Sequence, residues 1–293
     1  MAEQRRTRRW GIFFKSLTFF YLFVLLFLAL GWIGNSGIKI AKKHTALVDL
    51  HGMITPDSIS SADNINASLR DAFKDKNTQG VILRIDSPGG SPVQAGYIND
   101  EIIRLRTIYP NIPLYAVVGD VCASGGYYVA AAADKIFVDK ASLIGSIGVM
   151  MDGFGFTETL DKVGIERRLL TAGKSKGFLD PFSPVDPKQR EHALNMLAEI
   201  HDQFVTVVRQ GRGDRLNDNP EIFSGTIWTG EKSIELGLSD AIGSVDYVAR
   251  EIIKAENIVD YTAKQGLAER FAKRFGEVIV STFSGTESML SLR

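Results

Sequence analysis

The sequence predicts an α/β fold with a mostly parallel sheet. Short apolar runs typical of strands alternate with segments of helical apolar spacing between residues 45 and 255. One run, Gly80–Ile85, is almost continuously apolar, as in a strand that is covered on both faces. Strands that alternate with helices become parallel neighbours through crossover connections, so we expect one domain of this class over residues 45–258.

Each predicted element rests on its apolar spacing and on the turn residues that flank it. The predicted strands are 45–50, 80–85, 113–118, 135–138, 166–171 and 227–228, and residues 141–150 form a loop that leads into a further strand. The predicted helices are 59–75, 93–107, 129–133, 156–163, 187–210, 231–236 and 245–255. Apolar side chains recur at helical spacing along the longest helix and predict its buried stripe. They are Leu194, Leu197, Ile200, Phe204, Val207 and Val208.

The N-terminus combines basic residues with a long uncharged stretch. Residues 16–38 carry no charged side chain, and their Leu- and Phe-rich core is long enough to span a bilayer. Five basic residues precede this stretch and three follow it closely, so the positive-inside rule places the N-terminus in the cytoplasm and the remaining chain across the membrane. We predict a cytoplasmic segment 1–16, a retained anchor 17–34 and a linker 35–44. A cleavable signal peptide is the alternative, although no Ala-x-Ala ending is present.

The C-terminal residues 259–293 form a predicted tail outside the domain. From Leu267 onward, apolar residues at helical spacing combine with basic ones in an amphipathic pattern. Such a segment could lie on a membrane or pack on a neighbouring subunit. A plain surface helix, or disorder past Ser284, is the alternative interpretation.

The composition excludes several classes of function. The 34 basic and 34 acidic residues balance, which argues against a nucleic-acid partner. The single Cys122 excludes an intrachain disulfide and a cysteine-cluster metal site, and its apolar neighbours predict buried packing. The four histidines show no metal-ligand spacing, so we predict no bound metal.

Residues 119–128 place Ser124 on a small-residue turn between a strand and the start of a helix. Such a turn exposes a side chain at the end of a strand, and the small neighbours Gly125 and Gly126 let a substrate backbone come close. Amides at a helix start also favour developing negative charge. Ser124 is therefore a candidate nucleophile, although a serine at this position can simply cap the helix.

A second glycine turn, Pro88-Gly89-Gly90, follows the strand 80–85. Ligand sites in open α/β sheets lie at the carboxyl ends of strands. The backbone N–H groups of Gly90 and Gly125 could therefore point into one cleft and hold an oxyanion. A phosphate loop is the competing interpretation of Gly89-Gly90. Neither GxxxxGK[ST] nor GxGxxG is present, so we predict no nucleotide and no other cofactor.

A nucleophilic serine needs a base. Histidine is the usual choice, but His51, His192 and His201 lie in no recognisable catalytic context. Lysine is the alternative, and it works when desolvation favours the neutral amine. Two lysines, at positions 174 and 176, lie in a Gly- and Ser-rich loop after the predicted strand 166–171. Solvated loop lysines are the other interpretation.

Three motifs in this order resemble the signal peptide peptidase A family. They are Arg84-Ile85-Asp86-Ser87-Pro88-Gly89-Gly90, Ala123-Ser124-Gly125-Gly126-Tyr127-Tyr128 and Gly145-Ser146-Ile147-Gly148-Val149. That family consists of membrane-anchored Ser-Lys peptidases, and the resemblance covers about residues 45–255. It implies a Clp/crotonase-like domain built as a repeated β-β-α spiral.

The resemblance also implies roles for single residues. Ser124 matches the nucleophile, and Lys176, 52 residues later, matches the base in preference to Lys174. Gly90 and Gly125 match the oxyanion donors. A matching serine, Ser146, could hold the lysine amine in place, or it could be a loop residue bonded to its own backbone.

One Ser-Gly-Gly copy and no internal repeat are present, which resembles the short form of the family. Short members are expected to form a homo-oligomeric ring in which a neighbour completes the dyad, although cis or trans completion stays open. The implied substrates are remnant signal peptides at the bacterial inner membrane, with the catalytic domain on the periplasmic side. The alternatives are a related peptidase that processes a membrane protein, a non-catalytic scaffold and a crotonase-type acyl-CoA enzyme.

Overall fold

The computed structural model describes residues 15–26 and 42–263. The chain divides into two units, Met1–Lys42 and Lys43–Arg293. In the first unit, residues 15–26 form helix α1, whose large apolar side chains are exposed. Within the described ranges, no helix is both long and apolar enough to cross a membrane.

Several predicted segments fall partly or wholly outside the described residues. The second half of the predicted anchor 17–34 and most of the linker 35–44 belong to them, as does nearly all of the cytoplasmic segment 1–16. The predicted tail is described only as far as residue 263. These assignments therefore stay predictions.

The second unit contains one sheet of eight strands within residues 42–263. The strands are β1 (His44–His51), β2 (Thr78–Ser87), β3 (Leu114–Ala123), β4 (Lys135–Val138), β5 (Leu143–Gly145), β6 (Ile227–Thr229), β7 (Ala241–Ile242) and β8 (Ile258–Asp260). Their order is β6-β5-β3-β2-β1-β8, with β4 beside β3 and β7 beside β4. Every pair is parallel except β5 with β6. The predicted α/β class with a parallel sheet is confirmed.

The helices follow the predicted order closely. They are α2 (Ala62–Lys74), α3 (Pro92–Ile108), α4 (Gly125–Ala130), α5 (Thr157–Lys162), α6 (Pro187–Arg212), α7 (Gly230–Glu235) and α8 (Val245–Tyr247). Short helical turns at Gly213–Arg215, Pro220–Phe223 and Val248–Ile252 complete the described part. Helix α3 shows why the prediction worked, because Ser91 caps it by accepting the N–H of Gln94 and Pro92 occupies its first turn.

The central strands are covered on both faces, as the apolar run of β2 predicted. Leu83 and Ile85 point into the main core beneath helices α2, α3 and α4. Ile82, on the opposite face, packs in a second cluster with Val248 and Ala249. Alternate residues of one strand thus serve two cores, which is why the run shows no polar–apolar alternation.

Three elements differ from the prediction. Residues 166–171 form no strand, and Leu170 within them is 96% exposed. Strand β8 was not predicted, and it pairs with β1 across the predicted domain boundary at residue 258. The stripe of the long helix α6 is buried only towards its C-terminal end, at Phe204 and Val208, whereas Leu194 is 48% exposed. Apolar spacing marks the face that can be buried, but it does not provide the surface that covers that face.

Candidate active site

Ser124 lies between the last residue of β3 and the first residue of α4. Its backbone has φ 51° and ψ −123°, in a region that costs a non-glycine residue energy. Its N–H donates to the Gly145 carbonyl at 2.8 Å, and its carbonyl accepts the Tyr128 N–H at 3.0 Å. The side chain makes no capping hydrogen bond. The structure therefore gives Ser124 a fixed backbone and no role as a side-chain helix cap.

The two glycine turns predicted to share a cleft touch each other. A Cβ built on Gly89 would lie 2.8 Å from the Ser124 Cβ and 2.7 Å from the Gly125 nitrogen. A Cβ on Gly125 would lie 3.3 Å from the Gly90 nitrogen. Across residues 42–263, no acceptor is assigned to the N–H of Gly90 or of Gly125. Both predicted oxyanion donors therefore lie close together beside Ser124, and their role stays a prediction.

A short extended segment after β1 supports the Gly89-Gly90 turn, and the sequence reasoning missed it. The Ile54 N–H donates to the Gly89 carbonyl at 2.8 Å, and the Ile54 carbonyl accepts the Ser91 N–H at 2.8 Å. Gly90 packs so closely here that a Cβ would lie 2.2 Å from the Ile54 oxygen. This close approach explains why the turn needs glycine at position 90. Gly52 signals a turn just before the buried Ile54. Nothing in the sequence indicates that Ile54 pairs with the Gly89-Gly90 turn.

Ser146 lies one residue from the carbonyl that holds Ser124. It is half-buried with φ 50°, and its N–H donates to the Thr226 carbonyl at 2.9 Å. The loop interpretation would require a hydrogen bond from the Ser146 hydroxyl to its own backbone. In the described part of the chain, no such bond is present. Gly145 thus joins two serines in strained conformations, and the predicted contact of Ser146 with a lysine amine remains a prediction.

The two candidate lysines lie on an exposed loop. Lys174 and Lys176 are both exposed, and the Lys176 N–H donates to the Gly173 carbonyl at 3.2 Å within a tight turn. Among residues 15–26 and 42–263, no hydrogen bond joins the Lys176 amine to Ser124 or to Ser146. The structure brings Ser124, Gly90, Gly125 and Ser146 together, and it leaves Lys176 in solvent.

Beside this loop, a cleft of about 770 Å³ opens between the segment after β5 and helix α6. Its walls include Phe154, Lys174, Phe178, Leu194 and Leu197. Phe154 is 79% exposed, so the cleft is only partly enclosed. The lysine loop therefore borders an apolar surface that the described part of the chain does not cover.

The histidines have partners away from Ser124, as the sequence suggested. His51 Nδ1 lies 3.5 Å from Asp86 Oδ2, His192 packs edge-on against Phe178, and His201 Nε2 lies 3.3 Å from the Ile147 carbonyl. Cys122 is buried, and burial raises the pKa of its thiol, so it stays protonated. The buried packing predicted for Cys122 is confirmed.

Buried polar groups hold helix α4 from behind. The Tyr127 hydroxyl donates to the Leu238 carbonyl at 2.7 Å, and burial raises its pKa, so it remains a donor. Nearby, Arg212 is 1% exposed and donates to the Gly237 carbonyl at 2.7 Å and to Asp240 at 2.8 Å. Burial alone would raise the pKa of Asp240, but hydrogen bonds led by that from Arg212 lower it below its ordinary value. Helix α4, which follows Ser124, is thus tied through Tyr127 to the segment that Arg212 and Asp240 hold together.

Comparison with known proteins adds a family to this geometry. The sequence profile described as Peptidase family S49 matches residues 108–259. A Brucella abortus protein named Na(+)/H(+) antiporter NhaA is 41% identical over 204 residues, which are 68% of this chain and 28% of that protein. A putative signal peptide peptidase SppA of Enterococcus faecium is 30% identical over 199 residues, 68% of this chain and 57% of that protein. Protease 4 of Haemophilus influenzae is 27% identical over 243 residues, 82% of this chain and 38% of that protein.

The chain spans between 28% and 57% of the length of these three relatives. The profile match includes Ser124, Ser146 and Lys176, and it covers more than half of the chain. The relatives named as peptidases agree with the resemblance that the three motifs predicted. The chain therefore belongs to peptidase family S49, the family of signal peptide peptidase A.

Proposed function

We propose that the chain is a membrane-anchored serine endopeptidase that hydrolyses remnant signal peptides. The observation that carries this proposal is the strained Ser124, which lies against two glycine turns whose N–H groups have no assigned acceptor. A nucleophile beside two converging backbone donors suits the tetrahedral intermediate of acyl transfer. The peptidase family favours this reaction over the crotonase-type acyl-CoA alternative.

The reaction would proceed in two steps. The neutral Lys176 amine takes the Ser124 proton, the serine oxygen attacks the peptide carbonyl, and the N–H groups of Gly90 and Gly125 hold the resulting oxyanion. The protonated lysine then gives its proton to the leaving amine, which departs as the acyl-enzyme forms. Water, activated by the same amine, hydrolyses the ester and restores Ser124.

Lys176 would reach Ser124 across a subunit boundary. A lysine acts as a base when it is desolvated, and this side chain is exposed in the single chain. The surrounding segment also carries exposed apolar side chains, among them Met150, Phe154 and Leu170. A neighbouring copy in a homo-oligomeric ring would cover both, with Ser146 orienting the amine. Head-to-tail contacts form a closed ring when the rotation from one subunit to the next adds up to a full turn.

The proposal also includes the predicted anchor 17–34 and a Clp/crotonase-like spiral as the fold of the catalytic domain. The anchor would hold the catalytic domain on the periplasmic side of the bacterial inner membrane, close to the bilayer. Signal peptides have apolar cores, and an active site beside the membrane would meet them after their release from preproteins. Among the related alternatives, processing of a membrane protein would use the same site and differ only in the substrate.

Complementation between inactive variants tests the shared site. Full-length Ser124→Ala and Lys176→Ala proteins are purified in detergent, and hydrolysis of an internally quenched peptide with an apolar core is measured. Each variant alone should be inactive. When they are dissociated and reassembled at equal amounts, about a quarter of the interfaces in a head-to-tail ring would pair an intact serine with an intact lysine.

Recovery to about that fraction of wild-type activity supports completion in trans. An inactive mixture, with each single variant also inactive, would place the dyad within one chain. Full activity of either single variant would contradict the Ser-Lys dyad itself. Identification of the peptides retained by the Lys176→Ala protein then separates signal peptides from fragments of other membrane proteins.

A further inference from the structure

Strand β3 changes its outer neighbour halfway along its length. Its first half pairs with β4, where Val117 lies opposite Phe137. Its last three residues pair with β5 instead, ending with Ala123 opposite Gly145. The strand that carries the nucleophile therefore leaves one neighbour and joins another just before Ser124.

The change coincides with a bulge against β2 on the other side. Ile85 lies opposite Val118, but two residues later Ser87 lies opposite Cys122. Three residues of β3, Gly119–Val121, therefore face the single residue Asp86. Extra residues of this kind interrupt the ladder and redirect the strand.

The carboxylate of Asp86 fills the gap in the ladder. Its Oδ1 accepts the Val121 N–H at 3.1 Å, so a side chain replaces the backbone acceptor that the bulge removes. The side chain also packs on Gly119, where a Cβ would lie 3.4 Å from the Asp86 Cβ. The other carboxylate oxygen lies 3.5 Å from His51 Nδ1 at the exposed edge.

A buried serine holds the opposite side of the bulge. The Ser142 hydroxyl donates to the Gly119 carbonyl at 2.6 Å, and it accepts the Asp139 N–H at 3.0 Å. Ser142 is 2% exposed, so this bond is shielded from water. Ser142 thus binds the first residue of the bulge, Gly119, and Asp86 binds the last, Val121.

We propose that Asp86 is a positioning residue for Ser124. The hydrogen bond to Val121 fixes the bulge, and the bulge fixes the three-residue run from Val121 to the strained turn at Ser124. The inference rests on the proposed role of Ser124 as the nucleophile. Because small displacements of a reacting group reduce the rate strongly, loss of this bond should lower kcat and leave the substrate KM unchanged.

Three full-length variants in detergent separate positioning from stability. Asp86→Ala removes the acceptor, whereas Asp86→Asn keeps an oxygen for the Val121 N–H. Asp49→Ala is the matched control, because Asp49 lies on the same sheet face and binds Arg84 at 2.7 Å rather than the bulge. Peptide hydrolysis gives kcat and KM, and hydrogen–deuterium exchange is followed in the peptides covering residues 119–124 and β1.

We expect Asp86→Ala to lower kcat about 10- to 100-fold at unchanged KM, and to speed exchange at residues 121–124 while β1 stays protected. Asp86→Asn should restore kcat and protection, and Asp49→Ala should resemble the wild type in both. Equal kcat in Asp86→Ala, or no rescue by Asn, would overturn the proposal. If the wild-type protein hydrolyses no peptide, the proposed function fails. Hydrogen–deuterium exchange at residues 121–124 then tests the positioning role by itself, and unchanged protection in Asp86→Ala overturns it.

Discussion

The strands around Ser124 and the segment 148–186, here called the arm, differ in how their apolar side chains are covered. In β2, Leu83 and Ile85 are fully buried between the two layers. In the arm, Met150 is 80% exposed and Leu170 is 96% exposed. The arm has only small contacts of its own, such as the stacking of Phe156 on Phe182 at 5.5 Å. One half of the proposed dyad is therefore built by the chain's own core, and the other half lies on a segment that lacks one.

In the proposed mechanism, this difference separates two kinds of requirement for activity. Ser124 needs a fixed backbone, which a buried sheet and strained turn provide within one chain. Lys176 needs a dry environment, which an exposed loop cannot provide by itself. Exposed apolar patches on a soluble domain commonly mark interaction sites. The arm therefore bears on whether the site is complete in a single copy, and substitutions in each region separate the two requirements.

The largest effect should come from removing the lysine amine. Lys176→Ala should lower kcat/KM by about a thousandfold or more. A nucleophile and its base act as a unit, so removing the base alone abolishes nearly all of the rate that the two provide together. Lys174→Ala is the matched control two positions away in the same exposed loop, and it should keep activity within about threefold. Peptide hydrolysis by both full-length variants measures this. Similar losses in both would show that the loop, and not the amine at 176, is what matters.

The contrast between the two regions also explains which parts of the structure the sequence could predict. The strand–turn–helix around Ser124 follows from local residue types, because a small-residue turn between an apolar run and an alanine-rich run has few alternatives. The predicted strand 166–171 was wrong. Its apolar residues have the spacing of a buried strand, but the described chain supplies no neighbouring strand with which it could pair. The same limit applies to Lys176, which the described chain leaves exposed to solvent and away from Ser124.

Long-range pairing accounts for the other misses. Strand β8 has three residues, and only its partner β1, more than two hundred positions earlier, makes it a strand. The bulge in β3 had a signal, because Gly119 interrupts an apolar strand and glycine there often marks a bulge. Its partner Asp86 could not be identified from spacing alone, since the register between β2 and β3 is a property of the folded sheet.

A smaller but still large effect is expected from the buried charge pair near helix α4. Asp240→Asn leaves the buried Arg212 without its charged partner, and breaking a buried pair costs about 3–5 kcal/mol of unfolding free energy. The pKa of Asp240 is lowered in the folded chain, so its stabilisation is complete above the ordinary carboxyl range and lost as the pH falls below about 4. Denaturant unfolding at pH 7 and at pH 3 should therefore show a gap between wild type and variant that shrinks in acid.

The exposed pair Lys232–Glu235 provides the control for that measurement. Its carboxylate is 61% exposed, so Glu235→Gln should change the unfolding free energy by less than about 1 kcal/mol at either pH. A pH-independent gap for Asp240→Asn would mean that lost packing, and not the charge pair, explains the destabilisation.

Removing a buried apolar side chain should lower the free energy of unfolding by no more than breaking the buried charge pair does. Leu83 in β2 is 0% exposed, so Leu83→Ala should lower the unfolding free energy by about 2–5 kcal/mol. The cost combines lost apolar burial with the cavity left behind between the helices and the sheet. Denaturant unfolding of the full-length protein in detergent measures it, and a cost below about 1 kcal/mol would show that this core is loosely packed.

The smallest effect on folding should come from the same substitution in the arm. Leu170→Ala removes a side chain that the single chain leaves 96% exposed, so unfolding at high dilution should change by less than about 0.5 kcal/mol. If a neighbouring copy covers the arm, the variant should instead weaken assembly, and its activity should fall on dilution at higher protein concentrations than that of the wild type. Size-exclusion chromatography with light scattering, read against activity over a dilution series, separates these effects. A destabilised monomer would show that Leu170 is buried within its own chain, and an unchanged dilution profile would show that no partner covers it; either result removes the arm as the place where Lys176 becomes desolvated.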